Sequence, residues 1–232
     1  MRVVSASSFL IRPLCPDTDM QEATELLKKG LDMLRIPYTG DQIGAFVIYL
    51  TELKKWNRAY NLTALKADED IIVKHFLDSL LFLKVLPSDV RSVADVGSGA
   101  GFPGIPMKIM RPDLTIALIE PSQKKALFLE HMQRTLGLAG LEIVNKRIED
   151  VQGLLVDAAV TRALFSAKEF IKKADKILKV RGVFILSKGP KVEEELRDLH
   201  AGEVYREDIP LPFQKGTRHL LTIRHIPNRR QG

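Results

Sequence analysis

The chain has 232 residues, 45% of them hydrophobic, enough for one sizeable core with length to spare for an added element. Its net charge is +6, it has one cysteine, and no run nears the roughly twenty apolar residues of a membrane span. Those features exclude an internal disulfide framework and a membrane-spanning helix, and the cysteine usage fits the reducing cytoplasm. The five histidines are scattered, and no Cys/His group has metal-ligand spacing, so no metal is expected.

Residues 1–19 contain Arg2, Arg12 and several serines but no acid before Asp17. Their apolar runs are too short for a signal segment and show no helical period, so they read as a disordered extension, with Met20 an alternative start. Residues 20–90 read as a helical cap. Thr39 and Gln42 form a capping box, and Ile43, Phe46, Leu50 and Leu53 follow at three- and four-residue spacing. A break is expected over Asn57–Ala67. A second amphipathic helix carries Ile72, Phe76, Leu80 and Leu83 after Asp70 and ends at Pro87.

From Arg91 to the end (91–232) the period changes. Strands are predicted at Ser92–Val96, Thr115–Ile119, Leu141–Asn145, Asp157–Thr161 and Gly182–Ser187. Between them lie helices near Pro103–Met110, Ser122–Leu136, Ser166–Leu178 and Lys191–Leu199. This alternation implies an α/β fold, a parallel sheet with helices on both faces that packs with the cap as one unit. Val204–Ile209 and His219–Ile226 have no helix between them and should pair antiparallel. A parallel sheet finished by such a hairpin is typical of class I methyltransferases, a Rossmann-like architecture.

The stretch from Asp95 to Gly104 follows the first strand and opens a helix, with Pro103 suited to the first helical position. Gly99, Gly101 and Gly104 match the GxGxxG of dinucleotide sites, while Gly97, Gly99 and Gly101 match the GxGxG of S-adenosylmethionine (AdoMet) enzymes. Two features favour AdoMet. The chain already turns at Asp95-Val96-Gly97-Ser98, and an acid at the strand end suits a ligand with an ammonium and a sulfonium better than a pyrophosphate. The plainer alternative for Asp95 is to accept backbone N–H groups within the turn. Glu120, at the end of the second strand, is placed to accept ribose hydroxyls.

Positive charge is uneven. Thr51–Lys66 carries Lys54, Lys55, Arg58 and Lys66 against Glu52, and Lys168–Arg181 carries six basic residues against Glu169 and Asp175. The end beyond Phe213 is basic and lacks acids. Clustered charge beside a nucleotide-type site makes a nucleic acid the leading partner.

Trp56-Asn57-Arg58-Ala59-Tyr60-Asn61-Leu62-Thr63, His75-Phe76-Leu77-Asp78-Ser79, Asp95 through Pro106, Arg111-Pro112, Thr161-Arg162-Ala163, Lys188-Gly189 and Arg218-His219-Leu220 together resemble the RsmG (GidB) family. The resemblance runs from about Met20 to Ile226. It implies a monomeric AdoMet-dependent methyltransferase that modifies N7 of a guanine in small-subunit (16S) ribosomal RNA. It further implies AdoMet contacts from Gly97, Phe102, Ile148, Glu149 and Arg162, joined by Asp95, Gly99, Gly101 and Glu120. Glu120 stands where the family commonly has aspartate, and Leu164 where many members have an aromatic residue. RNA contacts are expected from Lys54, Lys55, Arg58, Asn61, His75 and Lys188. N7 bears a lone pair and no proton, so no acid or base catalyst is required and Arg162 is expected to position the reactants. An NAD-dependent oxidoreductase and a non-catalytic RNA-binding assembly protein are the rival readings.

Overall fold

The computed structural model describes residues 18–162, 164–189, 192–193, 203–214 and 216–224. Of the extension expected at 1–19, residues 1–17 lie outside these residues, as do most of the helix expected at 191–199 and the end beyond Arg224, while Thr18 and Asp19 open a helix. Helix α1 (Thr18–Met33) leads into α2 (Gly40–Tyr60), which opens with the expected capping box. The Gln42 N–H donates to Thr39 Oγ1 (3.3 Å), and the Thr39 N–H donates to Gln42 Oε1 (2.9 Å). Such a cap stabilises a helix by about 1 kcal/mol.

The inner face of α2 buries Ile43, Phe46, Tyr49, Leu50, Leu53 and Asn57. The break expected from Asn57 comes four residues late, because Asn57 faces inward and organises the chain beyond the helix. Its Oδ1 accepts the Thr63 N–H (2.9 Å) and its Nδ2 donates to the Leu65 carbonyl (3.4 Å). Asn61, in the left-handed region at φ 50°, ends the helix.

The second cap helix is α3 (Asp68–Ile71), a π-helical turn (Ile72–Leu77), α4 (Asp78–Leu80) and α5 (Phe82–Val85). The π turn has a chemical consequence. The Asp78 N–H reaches the Val73 carbonyl, five residues back, instead of that of Lys74, four back. The Lys74 carbonyl is thereby left to accept from elsewhere.

Strands β1 (Ser92–Val96) and β2 (Thr115–Ile119) have the predicted bounds. With β3 (Leu141–Val144), β4 (Val156–Arg162), β5 (Leu178–Lys188), β6 (Val204–Pro210) and β7 (Thr217–Arg224) they form one sheet in the order β3-β2-β1-β4-β5-β7-β6. The first five are parallel, and β7 runs antiparallel to both β5 and β6. The intervening helices are α6 (Gly104–Met110), α7 (Gln123–Thr135) and α8 (Ala167–Ala174). Pro103 caps α6 instead of occupying its first turn.

Alternate strand residues serve two apolar clusters. Val93, Leu118, Val160 and Ile185 join Phe46, Tyr49, Phe76 and Phe128 of the cap and α7, while Ala94, Val96, Ile119 and Leu186 pack with Phe170 of α8. Each fully buried large apolar side chain contributes about 1.5–3 kcal/mol. The cap and the sheet thus share a core. Among the described residues no helix is long and apolar enough to cross a membrane.

Candidate active site

Strand order reverses between β1 and β4, and loops after the C-terminal ends of β1, β2, β3 and β4 lie along one edge. The glycine loop after β1 is pinned from below. The Gly97 and Ser98 N–H groups donate to the Ile119 carbonyl (2.8 and 3.2 Å), and the Tyr49 hydroxyl donates to the Ala100 carbonyl (2.5 Å). Sequence reasoning missed Tyr49, although it shares the inner face of α2 with Phe46, Leu50 and Leu53.

The glycines have separate duties. At Gly101 a Cβ would lie 2.8 Å from the Tyr49 hydroxyl, and at Gly104 it would lie 2.3 Å from Leu118 Cδ2, so both are needed for packing. At Gly97 it would strike Leu164, whose side chain, 53% exposed, lies over the loop. Gly99, at φ +61°, is different, since a Cβ there meets nothing within 4 Å. Its face is open.

Around that face sit carboxylates with distinct roles. Glu120 is buried, with Oε2 accepting the Gly99 N–H (2.8 Å) and Oε1 accepting the Ser122 N–H (2.9 Å). Asp95 is fully buried, and its Oδ2 accepts the Gly104 N–H (2.8 Å), as the plainer reading of the sequence has it. Its other oxygen and Ser98 Oγ are the two buried side-chain polar atoms without a partner among the described residues. Both flank the glycine loop.

Burial pushes the Asp95 carboxyl up to about 7 from 3.8. Because the folded value is raised, its proton stabilises the fold fully below about pH 4, and that stability is lost as pH rises through 7. Asp95→Asn should therefore remove a decline worth about 4 kcal/mol between those limits. Thermal unfolding of the two proteins at pH 4.5 and pH 8, taken as roughly the ends of that window, should give a larger gain at the higher pH. An equal difference at both would refute the assignment.

Arg162, at the end of β4, is held by the cap. Its Nη1 donates to the carbonyl freed at Lys74 (2.7 Å) and to Asp78 Oδ2 (3.2 Å), and its Nη2 donates to His75 Nδ1 (2.7 Å). The guanidinium lies 5.4 Å from the centroid of the Phe102 ring. Asp78 is buried and also accepts from Arg218 Nε of β7 (2.7 Å), so one carboxylate joins two arginines. Asp78 and Arg218 fall within motifs that the sequence singled out, but their pairing was not foreseen.

Of the remaining expected residues, Phe102 is buried among Tyr49, His75 and Phe76. Ile148 is buried in the α8-side cluster, and Glu149, exposed beside it, pairs with Lys173 of α8, which holds its carboxyl below the usual range. Lys55, Arg58 and Asn61 are exposed on the cap. Lys54 is committed to Asp68 (2.6 Å). Two of the residues expected at the RNA are engaged within the protein. Lys188 is buried and donates to the Phe165 carbonyl, bracing the loop after β4. His75 stacks on Phe102 with centroids 4.4 Å apart. Lys188 is drawn off the surface by its backbone partner, whereas His75 is half-buried.

The family model described as rRNA small subunit methyltransferase G matches residues 42–221. A ribosomal RNA small subunit methyltransferase G of Alkaliphilus oremlandii is 36% identical over 219 residues, covering 88% of this chain and 91% of the relative. One from Chromobacterium violaceum is 37% identical over 203 residues, covering 86% and 97%. Among solved structures, a SAM-dependent methyltransferase from Aquifex aeolicus aligns with TM-score 0.50 at 16% identity, covering 67% of this chain and 93% of that one. A ribosomal-protein methylase from Lactobacillus delbrueckii subsp. bulgaricus gives 0.51 at 17% identity, over 66% and 79%. At such identities these structures speak for the fold alone, that of class I AdoMet-dependent methyltransferases. The relatives of higher identity speak for more, and this chain belongs to the rRNA small subunit methyltransferase G family.

Proposed function

We propose that this chain methylates N7 of a guanine in small-subunit (16S) ribosomal RNA, with AdoMet as the donor, acting as a monomer in the cytoplasm. The observation that carries the reading is the open face of the glycine loop at Gly99, set beside Glu120, together with Asp95 Oδ1 and Ser98 Oγ, buried polar atoms at the same loop without a partner among the described residues. AdoMet, when bound, supplies a methyl group on a sulfonium, which the in-plane lone pair of N7 can take directly. Gly99 would let its chain approach the backbone, with Gly97 and Gly101 shaping the turn at positive φ on either side. Glu120 oxygens have further lone pairs for ribose hydroxyls. Ile148 and Glu149 would flank the adenosine, and Asp95 would face the cationic end.

The residues near Arg162 suit a nucleophile with no proton to lose. Burial and the Arg162 charge push His75 down to about 3, so it stays neutral and cannot store a proton at neutral pH. Asp78 is locked between two arginines. Arg162 serves as a positioning group, and Phe102 and Leu164 help keep water from the loop. Incubating ribosomal RNA, naked subunits and assembled subunits with labelled AdoMet, then mapping the label by mass, tests the reading. Label at N7 of one guanine is expected. Label on a carbon, a hydroxyl or an exocyclic amine would overturn it.

A cleft in the cap supports RNA binding there. Lys54, Asn57, Arg58, Asn61, Leu65, Lys66 and Ile71 line a cleft of about 380 Å³ there. The basic stretch 168–181 contributes less than its charge suggests. Lys173 pairs with Glu149, and Lys179 pairs with Asp157 (2.8 Å), beside Ser92 at the opposite edge of the sheet from the glycine loop. Replacing Lys54, Lys55 and Arg58 by Ala should weaken RNA binding and lower the slope of log affinity against log salt by about one to two, because Lys54 is neutralised by Asp68 and the exposed Lys55 lies 3.7 Å from Glu52. Filter binding at several salt concentrations measures this. An unaltered slope would remove the cleft from the RNA footprint.

A further inference from the structure

His75 is the crossing point of three elements. Arginine can only donate, so the Nδ1 lone pair accepts from Arg162 Nη2 (2.7 Å) and the ring proton sits on Nε2. Nε2 then donates to Thr63 Oγ1 (2.7 Å), whose backbone N–H is held by Asn57. The ring face is stacked on Phe102 of the glycine loop at an interplanar angle of 15°. A single imidazole thus joins the segment 61–65 of the cap, the end of β4 and the loop after β1.

We propose that His75 is a positioning residue for methyl transfer, fixing the direction of the Arg162 guanidinium and tying it to the cap segment that lines the basic cleft. The proposal rests on Arg162 being a site residue, as read above. Two features support it. First, the guanidinium has a planar fork, and Lys74 O and Asp78 Oδ2 both meet the same nitrogen, Nη1. Contacts at one nitrogen let the plane swing, and the bond from Nη2 to His75 removes that freedom. Second, the hold requires an acceptor at Nδ1, and a protonated ring would have none. Burial together with the Arg162 charge keeps the ring neutral, so the hold persists throughout the neutral range.

The test compares His75→Leu, His75→Asn, Thr63→Val and Arg162→Ala in methyl transfer to the small subunit, with AdoMet affinity, RNA affinity and thermal unfolding measured alongside. An asparagine Oδ1 can stand where Nδ1 does, whereas leucine offers no acceptor. His75→Leu is expected to lower kcat about 100-fold, the scale of a misplaced reacting group, with KM for RNA near that of wild type. His75→Asn should restore most of that loss despite removing the same ring stacking. Thr63→Val leaves the ring in place and removes its Nε2 partner, together with the acceptor of the Leu65 N–H (3.2 Å), so it reports even where the leucine variant does not fold. It should lower kcat by about tenfold. Equal kcat in His75→Leu and His75→Asn, or unaltered kcat in Thr63→Val, would overturn the proposal. A crippled Arg162→Ala beside an active His75→Leu would overturn it while leaving the reading of Arg162 intact. An active Arg162→Ala would overturn both.

Discussion

Gly99→Val should abolish AdoMet binding while leaving the protein folded. The residue sits at φ +61°, where a branched side chain costs about 1–2 kcal/mol, a loss that a chain of this size can absorb. Beyond its chain neighbours, no atom of the described residues lies within 4 Å of the added Cβ, so the valine projects into the open face and not into the core. That face is where the ligand backbone must approach. Titration calorimetry should show affinity reduced by at least about 100-fold, or about 2.7 kcal/mol. A valine at Gly104 makes a useful contrast, because its Cβ would meet Leu118 at 2.3 Å and damage the fold itself. Wild-type AdoMet affinity in folded Gly99→Val would place the cofactor elsewhere.

The second large effect is expected at Asp78. Its side chain is 2% exposed, against 17% for Arg162 and 31% for Arg218, so removing it strands one nearly buried cation and one partly buried cation. Breaking such an arrangement from one side typically costs 3–5 kcal/mol; with Arg218 partly hydrated, about 3 kcal/mol is expected for Asp78→Ala. Chemical denaturation should report a lowered midpoint with unaltered slope. Methyl transfer should fall as well, even where folded protein predominates, because Arg162 loses a restraint. A destabilisation below about 1 kcal/mol would mean that both arginines find water or other partners easily.

How much of this was legible varies by element. Strands β1 and β2 were read to the residue, because each is a short apolar run ended by an acid and a turn. Strands β4 and β5 extend further than expected, since pairing reaches Arg162 at one end and Val156–Leu178 at the other, across a register shift in the polar start of β5 where alternation gives no cue. Asn57 looked like the start of a turn, yet it is a buried helical residue that makes the following turn. The π turn left no trace in the spacing of Ile72, Phe76, Leu80 and Leu83, because one extra residue per turn is within the tolerance of an apolar stripe. The glycine loop, Glu120 and Arg162 were legible as types at a strand edge. The contacts of His75 with Arg162 and Phe102 were not, because a histidine between Lys74 and Phe76 serves equally as a surface contact or as an internal acceptor.

The place of β7 governs when the site comes into being. It is the last strand in the described chain, yet it lies within the sheet, between β5 and β6. Arg218, which it carries, meets a carboxylate made 140 residues earlier. A chain that has made its first five strands but not β7 already carries the glycine loop, yet β5 remains an open edge and Asp78 holds one arginine in place of two. Assembly of the arginine bridge is thus a late, long-range event. An incomplete nascent protein would hold the cradle for a donor before it holds the rigid frame that directs transfer.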